Sequence, residues 1–320
     1  MPKSSIRTMM VAAAVGGLCA TAPLAQHGGP VHGPAPGPTS IGVPAGGTSV
    51  PMLDFGGRPV VEVMINGKGP YRFILDTGAH VSVVDTSIDE ELALAGAMGV
   101  RAASPDGGQG PKVVTLDVLR VGDASVGGLI SAVMPLHQLL TGENAPRGVL
   151  SASSFPGYLV TFDYPGKRIS IKEGSLDSAD ALSSFEYQAS DSLPTVPVEV
   201  AGRSTRVHLD TGSGGGLTLP ARFLEELPLA SEPKVVGKAR TPSGEAPISR
   251  ARVDGPIRMG GFTLDLEEVS FSDVAPGPVP PTGQIGFEVL RDFVLTFDSK
   301  NRRFRFDRAA PAAVPTPASP

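Results

Sequence analysis

Two stretches of this chain alternate apolar and polar side chains in the same way. Val61, Val63 and Ile65 are separated by Glu62, Met64 and Asn66, and Val196, Val198 and Val200 repeat that spacing. A period of two is the mark of a strand with one buried face. Residues 113–121 and 293–306 also read as strands. Helical spacing is confined to about 86–98 and 220–227, where Pro220 suits a first helical position. The pattern therefore predicts an all-β protein with short helices. Apolar periodicity is missing from residues 26–50, a Gly/Pro-rich stretch that reads as a flexible leader, and from the Ala/Pro tail 309–320, which reads as disordered.

Between these ends the pattern is duplicated. Pro59-Val-Val-Glu-Val-Met-Ile-Asn-Gly67 resembles Pro194-Thr-Val-Pro-Val-Glu-Val-Ala-Gly202. Phe73-Ile-Leu-Asp-Thr-Gly-Ala79 resembles Val207-His-Leu-Asp-Thr-Gly-Ser213, and Leu159-Val-Thr-Phe-Asp163 resembles Val294-Leu-Thr-Phe-Asp298. Val126-Gly-Gly-Leu129 pairs with Met259-Gly-Gly-Phe262 in the same order. The offset stays between 133 and 135 residues throughout. Collinearity over that length implies a tandem duplication, with lobes at 51–175 and 176–308.

Composition narrows the picture. The 320 residues are 41% hydrophobic, enough for a substantial core, and the 40 Gly and 32 Pro suit many turns. A net charge of −5 without a basic patch gives no reason to expect a nucleic-acid partner. Lys3 and Arg7 precede an apolar run from Met9 to about Ala25, which reads as a signal peptide over 1–25. Ala20-Thr21-Ala22 and Ala25 are the candidate cleavage points. Export to the periplasm or the medium follows, with no membrane association beyond an N-terminal anchor should the signal stay uncleaved. The single cysteine, Cys19, lies within that signal, so the mature chain would have no disulfide, thiol nucleophile or cysteine metal site. His27 and His32 read as solvated leader residues, and neither metal nor cofactor is expected.

The chemistry concentrates in the duplicated Asp-Thr-Gly. Two carboxylates a few ångströms apart cannot both ionise, so they share one proton. The ionised member can take a proton from water while the protonated member donates to a carbonyl oxygen. This explains a motif present once in each lobe: Asp76 and Asp210 would be catalytic. Gly78 and Gly212 would let backbone N–H approach the carboxylates, and Thr77 and Thr211 would lock one loop against the other. Ser213 could donate to Asp210 where Ala79 cannot, which predicts that Asp210 ionises first and Asp76 holds the proton. Ser153, His137 and Asp163 could be drawn as a serine-type triad, but no nucleophile-elbow pattern accompanies them. The glycines of Gly212-Ser-Gly-Gly-Gly216 match no phosphate-loop spacing.

On these motifs the region 59–307 resembles the aspartic proteases, specifically bacterial retropepsin-like enzymes in a single-chain, pepsin-like, bilobal arrangement. The resemblance implies two acid-protease-type β lobes and an endopeptidase acting on peptide or protein substrates, without a cofactor and as a monomer. It also implies an apolar-apolar-Gly segment supporting each aspartate. Gln284-Ile-Gly286 stands in that place 76 residues after Asp210, and Val149-Leu-Ser151 stands there 75 residues after Asp76 with Ser151 replacing Gly, which puts close packing beneath Asp76 in question. Turn-rich Ser104-Pro-Asp-Gly-Gly108 and Thr241-Pro-Ser-Gly244 fall where such enzymes carry flaps. Pro105, Asp106, Gly107, Gly108, Pro242, Ser243 and Gly244 are thus candidate substrate-contacting residues. The alternatives are a peptide-binding or regulatory protein with weak or absent catalysis on the same fold, and a structural envelope protein. Cleavage specificity and physiological substrate are not readable from the sequence.

Overall fold

In the computed structural model, described over residues 20–21, 37–97, 101–102, 111–187, 193–241, 244–273 and 282–308, the alternating stretches are strands. Arg58–Ile65 buries Val61, Val63 and Ile65 and exposes Glu62, and Thr195–Val200 buries Val196, Val198 and Val200. Each forms an antiparallel hairpin with the strand leading into Asp-Thr-Gly: Lys68–Asp76 in one lobe, Arg203–Leu209 in the other.

The first-lobe sheet runs Ser40–Gly42, Ala124–Met134, Ser82–Asp85, Gly148–Ser151, Lys68–Asp76, Arg58–Ile65, Leu53–Phe55. Val113–Val121 pairs with both Ala124–Met134 and Arg58–Ile65, closing the sheet on itself. The second lobe repeats the central pairings. Gly148–Ser151 lies parallel to Lys68–Asp76, with Phe73 opposite Gly148, and Gly283–Ile285 lies parallel to Arg203–Leu209, with Val207 opposite Gly283.

A third, six-stranded sheet is built by both halves: Ser184–Glu186, Arg303–Arg308, Phe293–Asp298, Tyr158–Asp163, Arg168–Glu173, Thr48–Pro51. At its centre Tyr158–Asp163 pairs antiparallel with its own repeat, Phe293–Asp298, and Thr161 faces Thr296 with hydroxyls 3.2 Å apart. Those two threonines are equivalent in the duplication, so the local twofold axis passes between them. One buried cluster runs through both lobes and this sheet. Opposite faces of the first-lobe strands carry a second cluster that includes Val60, Ile74, Val83 and Val149.

Three expectations change. The leader does not extend to residue 50: Ser40–Gly42 and Thr48–Pro51 are strands, and Ile41, Val43 and Val50 pack against the core. The helix expected over 86–98 ends earlier, at Thr86–Leu92, because Ala93 turns left-handed (φ 49°) and the backbone at Ala95 and Ala97 bonds to the strand beginning at Val113. The helix expected over 220–227 shortens to Phe223–Glu226, preceded by a tight turn from Pro220. The signal segment, apart from Ala20 and Thr21, which pair with Ala102 and Arg101, and the tail 309–320 lie outside the described residues. Among the described residues no helix is long and apolar enough to cross a membrane.

Candidate active site

Each Asp-Thr-Gly follows directly from a buried strand. Asp76 ends Lys68–Asp76, and Asp210 follows Arg203–Leu209, its N–H bonded to the Ile285 carbonyl at 3.0 Å. The parallel neighbour puts Ser151 beside Asp76 in the ladder. Both strand ends point at the lobe boundary, where the two motifs meet.

The threonines lock them reciprocally. Thr77 Oγ1 donates to the Leu209 carbonyl at 2.7 Å and accepts from the Thr211 N–H at 3.2 Å. Thr211 Oγ1 donates to the Leu75 carbonyl at 2.9 Å and accepts from the Thr77 N–H at 3.0 Å. Four hydrogen bonds satisfy six buried polar groups across the boundary, where leaving any one unpaired would cost about 1–3 kcal/mol. The lock fixes the approach of the neighbouring carboxyls.

Close approach explains the glycines. A Cβ on Gly212 would lie 2.4 Å from Asp76 Oδ2, and one on Gly78 would lie 2.9 Å from Asp210 Oδ1. Neither position has room for a side chain. The Gly78 N–H donates to Asp76 Oδ1 at 2.6 Å, and the Gly212 amide serves both Asp76 and Asp210.

Asp76 and Asp210 are 3% and 5% exposed, so ionisation is penalised at both. Burial raises the Asp76 carboxyl, opposed by the Gly78 and Gly212 amides and by a hydrogen bond from Asp210. Burial raises Asp210 well above the usual carboxylate range, and the neighbouring Asp76 charge raises it further. Asp210 Oδ1 meets no hydrogen-bond donor among the described residues. Both carboxyls are thus driven toward the protonated form, Asp210 the further, and as a close pair they hold one proton between them, weighted toward Asp210. This reverses the expectation drawn from Ser213. Its hydroxyl accepts instead from Gln284 Nε2 at 3.1 Å and the Gly215 N–H at 3.3 Å.

Ser151 also has its explanation. Its hydroxyl donates to the Ala79 carbonyl at 2.7 Å and accepts from the Ser153 N–H at 3.2 Å, while its own N–H bonds Ser82 Oγ at 3.1 Å. The first-lobe loop is spaced to hold a hydroxyl. The second-lobe loop is not: a Cβ on Gly286 would meet the Ser213 carbonyl at 2.6 Å.

The structure thus brings Asp76, Thr77, Gly78 and Ala79 together with Asp210, Thr211, Gly212 and Ser213. Of the flap candidates, Pro105, Asp106, Gly107, Gly108, Pro242 and Ser243 lie outside the described residues. Gly244 opens the strand Gly244–Ala251, which forms a hairpin with Lys234–Thr241 and pairs Gly244 with Thr241. His137 is committed to Asp85 (2.9 Å), which removes it from any triad with Ser153 and Asp163. Among the described residues no group of three or more His, Cys, Asp or Glu side chains is placed to hold a metal ion.

One neighbour escaped the sequence reading. Arg58 is 1% exposed, and its Nε donates to the Gly212 carbonyl at 2.7 Å from the opposite lobe. A signal existed: aligning Pro59 with Pro194 sets Arg58 against Leu193, a charge against an apolar residue inside an otherwise matching repeat.

Two closely placed carboxyls, one ionised and one protonated, can act as general base and general acid on a single bound molecule. A family model described as aspartyl protease matches the chain twice, over residues 61–153 and 196–289. No curated protein matches the chain.

Proposed function

We propose that this chain, a member of the retropepsin-like aspartyl protease family, is an endopeptidase that hydrolyses peptide bonds with a water activated between Asp76 and Asp210. The observation that carries the reading is the meeting of two buried Asp-Thr-Gly loops, locked by reciprocal threonine hydrogen bonds. In this reading Asp76, held as a carboxylate by the Gly78 amide, accepts a proton from the water. Asp210 donates its proton to the carbonyl oxygen of the substrate. The resulting gem-diol collapses as Asp76 passes its proton to the leaving amine and Asp210 takes one from a diol hydroxyl, so the pair carries one proton throughout and regains its starting arrangement. An extended peptide lies between the lobes, within reach of the strand pair Lys234–Thr241 and Gly244–Ala251.

Both half-sites belong to one polypeptide, so activity needs no second copy. No cofactor enters the mechanism. The basic-then-apolar N-terminus supports export to the periplasm or the medium.

The test is cleavage of a diverse peptide library across roughly pH 3 to 7, the range a carboxylate pair serves. The protein is taken from the exported fraction with its mature N-terminus sequenced. Asp76→Asn and Asp210→Asn should each lower kcat by several orders of magnitude. Cleavage that survives both substitutions would falsify the mechanism, and binding without cleavage at any pH would point to a peptide-binding protein instead.

A further inference from the structure

The twofold repeat duplicates almost everything around the aspartates, but not the charge of Arg58. Its counterpart Leu193 is also buried, at 5% exposure. Arg58 begins the strand Arg58–Ile65 of the first lobe and reaches into the second, where Nε holds the Gly212 carbonyl. Nη1 faces the carbonyls of Phe55 and Gly56 at 3.5 Å. The loops are in tight contact: a Cβ on Gly214 would lie 2.2 Å from the Gly56 carbonyl oxygen and 3.4 Å from Arg58 Nη1.

A buried cation is costly unless anions face it. The acidic groups near Arg58 are Asp210, Asp76 and Asp54. Asp54 is exposed and accepts from the Gly57 N–H, so the buried counter-charge is the aspartate pair itself. The remaining charged or titratable groups around the 550 Å³ cavity that Arg58 borders are Tyr164, Lys167 and Arg291. Lys167 and Arg291 are exposed to solvent, and Tyr164 is a buried phenol whose ionisation is suppressed by burial and by the two aspartates. Burial weakens Arg58's hold on its own proton, and Asp210 and Asp76 strengthen it. Reciprocally, Arg58 favours the ionised form at both aspartates.

We propose that Arg58 is a positioning residue for the aspartate pair: it anchors the Gly212 loop across the lobe boundary and supplies the buried positive charge against which the pair carries its single negative one. The inference rests on reading Asp76 and Asp210 as the catalytic pair.

Two substitutions separate the roles. Arg58→Gln keeps a donor for the Gly212 carbonyl and removes the charge. Arg58→Lys keeps the charge and loses the planar fork. Removing a nearby cation makes each ionisation of the pair harder, so both limbs of the kcat/KM profile move to higher pH. For R58Q the expected shift is roughly one pH unit, the size seen for a close opposite charge. For R58K it is less than half of that, with the loss falling mainly on kcat. The same shift should appear in a ¹³C NMR titration of protein labelled at the aspartate carboxyls, which needs no substrate. If neither limb nor titration moves in R58Q, and only the melting temperature drops, Arg58 is a structural clamp and the proposal fails. If the NMR titration moves while no peptide is cleaved by the wild type, the charge relation stands and the protease reading is what has failed.

Discussion

Asp76 and Asp210 are identical residues on equivalent loops, yet their surroundings assign them different protonation. The Gly78 amide donates to Asp76, whereas Asp210 is left with an oxygen that meets no donor among the described residues. A buried carboxyl whose folded pKa lies above its unfolded value stabilises the fold below the unfolded pKa, near 4. That contribution is lost as pH rises toward the folded value, because the unfolded chain gains by ionising and the folded one does not. Asp210→Asn removes this penalty. Its melting temperature should therefore exceed that of the wild type at pH 7, with the gain shrinking toward pH 4. Thermal unfolding at both pH values measures it, and a gain that grows on acidification would refute the assignment of the proton. The aspartates were legible in the sequence because a tripeptide repeated at the end of a repeated strand is rarely an accident of composition. The proton's place was not. It depends on where the Ser213 hydroxyl turns, and its partner Gln284 lies 71 residues along the chain. Arg58 was half legible, as a mismatch within the repeat whose contact with Gly212 spans 154 residues.

The elements beneath the aspartates have diverged in the same local way. Ser151 and Gly286 occupy equivalent points at the ends of the strands Gly148–Ser151 and Gly283–Ile285, but only the first loop has space for a hydroxyl. Gly286→Ser should cost roughly 3 kcal/mol, the upper range for overpacking a tight site. Ser151→Ala leaves the Ala79 carbonyl without its hydroxyl donor and should cost roughly 1–2 kcal/mol. Urea unfolding of both variants compares them directly, and equal costs would mean that the two loops are packed alike. Strands were readable because Val61, Val63 and Ile65 show a clean period of two. The short helices were readable in place at two points but not in length, and the third was missed. Phe287–Leu290 makes barely one turn, too few residues for a 3.6 period to register. The expected helix beyond Leu92 lost its backbone to the strand beginning at Val113, a tertiary contact that local pattern does not carry.

At the scale of the molecule, the lobes are joined by a shared sheet rather than by a tether. Thr48–Pro51, Tyr158–Asp163 and Arg168–Glu173 come from one half, and Ser184–Glu186, Phe293–Asp298 and Arg303–Arg308 from the other. The connecting segment between Asp177 and Asp180 is exposed and contributes no strand. Cutting the folded protein there, through an inserted recognition site, should leave both fragments together on size-exclusion chromatography. Separation without denaturant would show that the covalent link, not the sheet, holds the lobes. The duplication was visible in the sequence, but the shared sheet was not, since it pairs a strand with its own repeat 135 residues away. The Thr161–Thr296 axis has a genetic corollary. In a twin-chain assembly with such an axis every codon change lands on both sides at once, so a buried cation at the centre would always arrive as two repelling ones. Here a change lands once, and the pairs Arg58 and Leu193, Ala79 and Ser213, and Ser151 and Gly286 can each be tuned on one side alone.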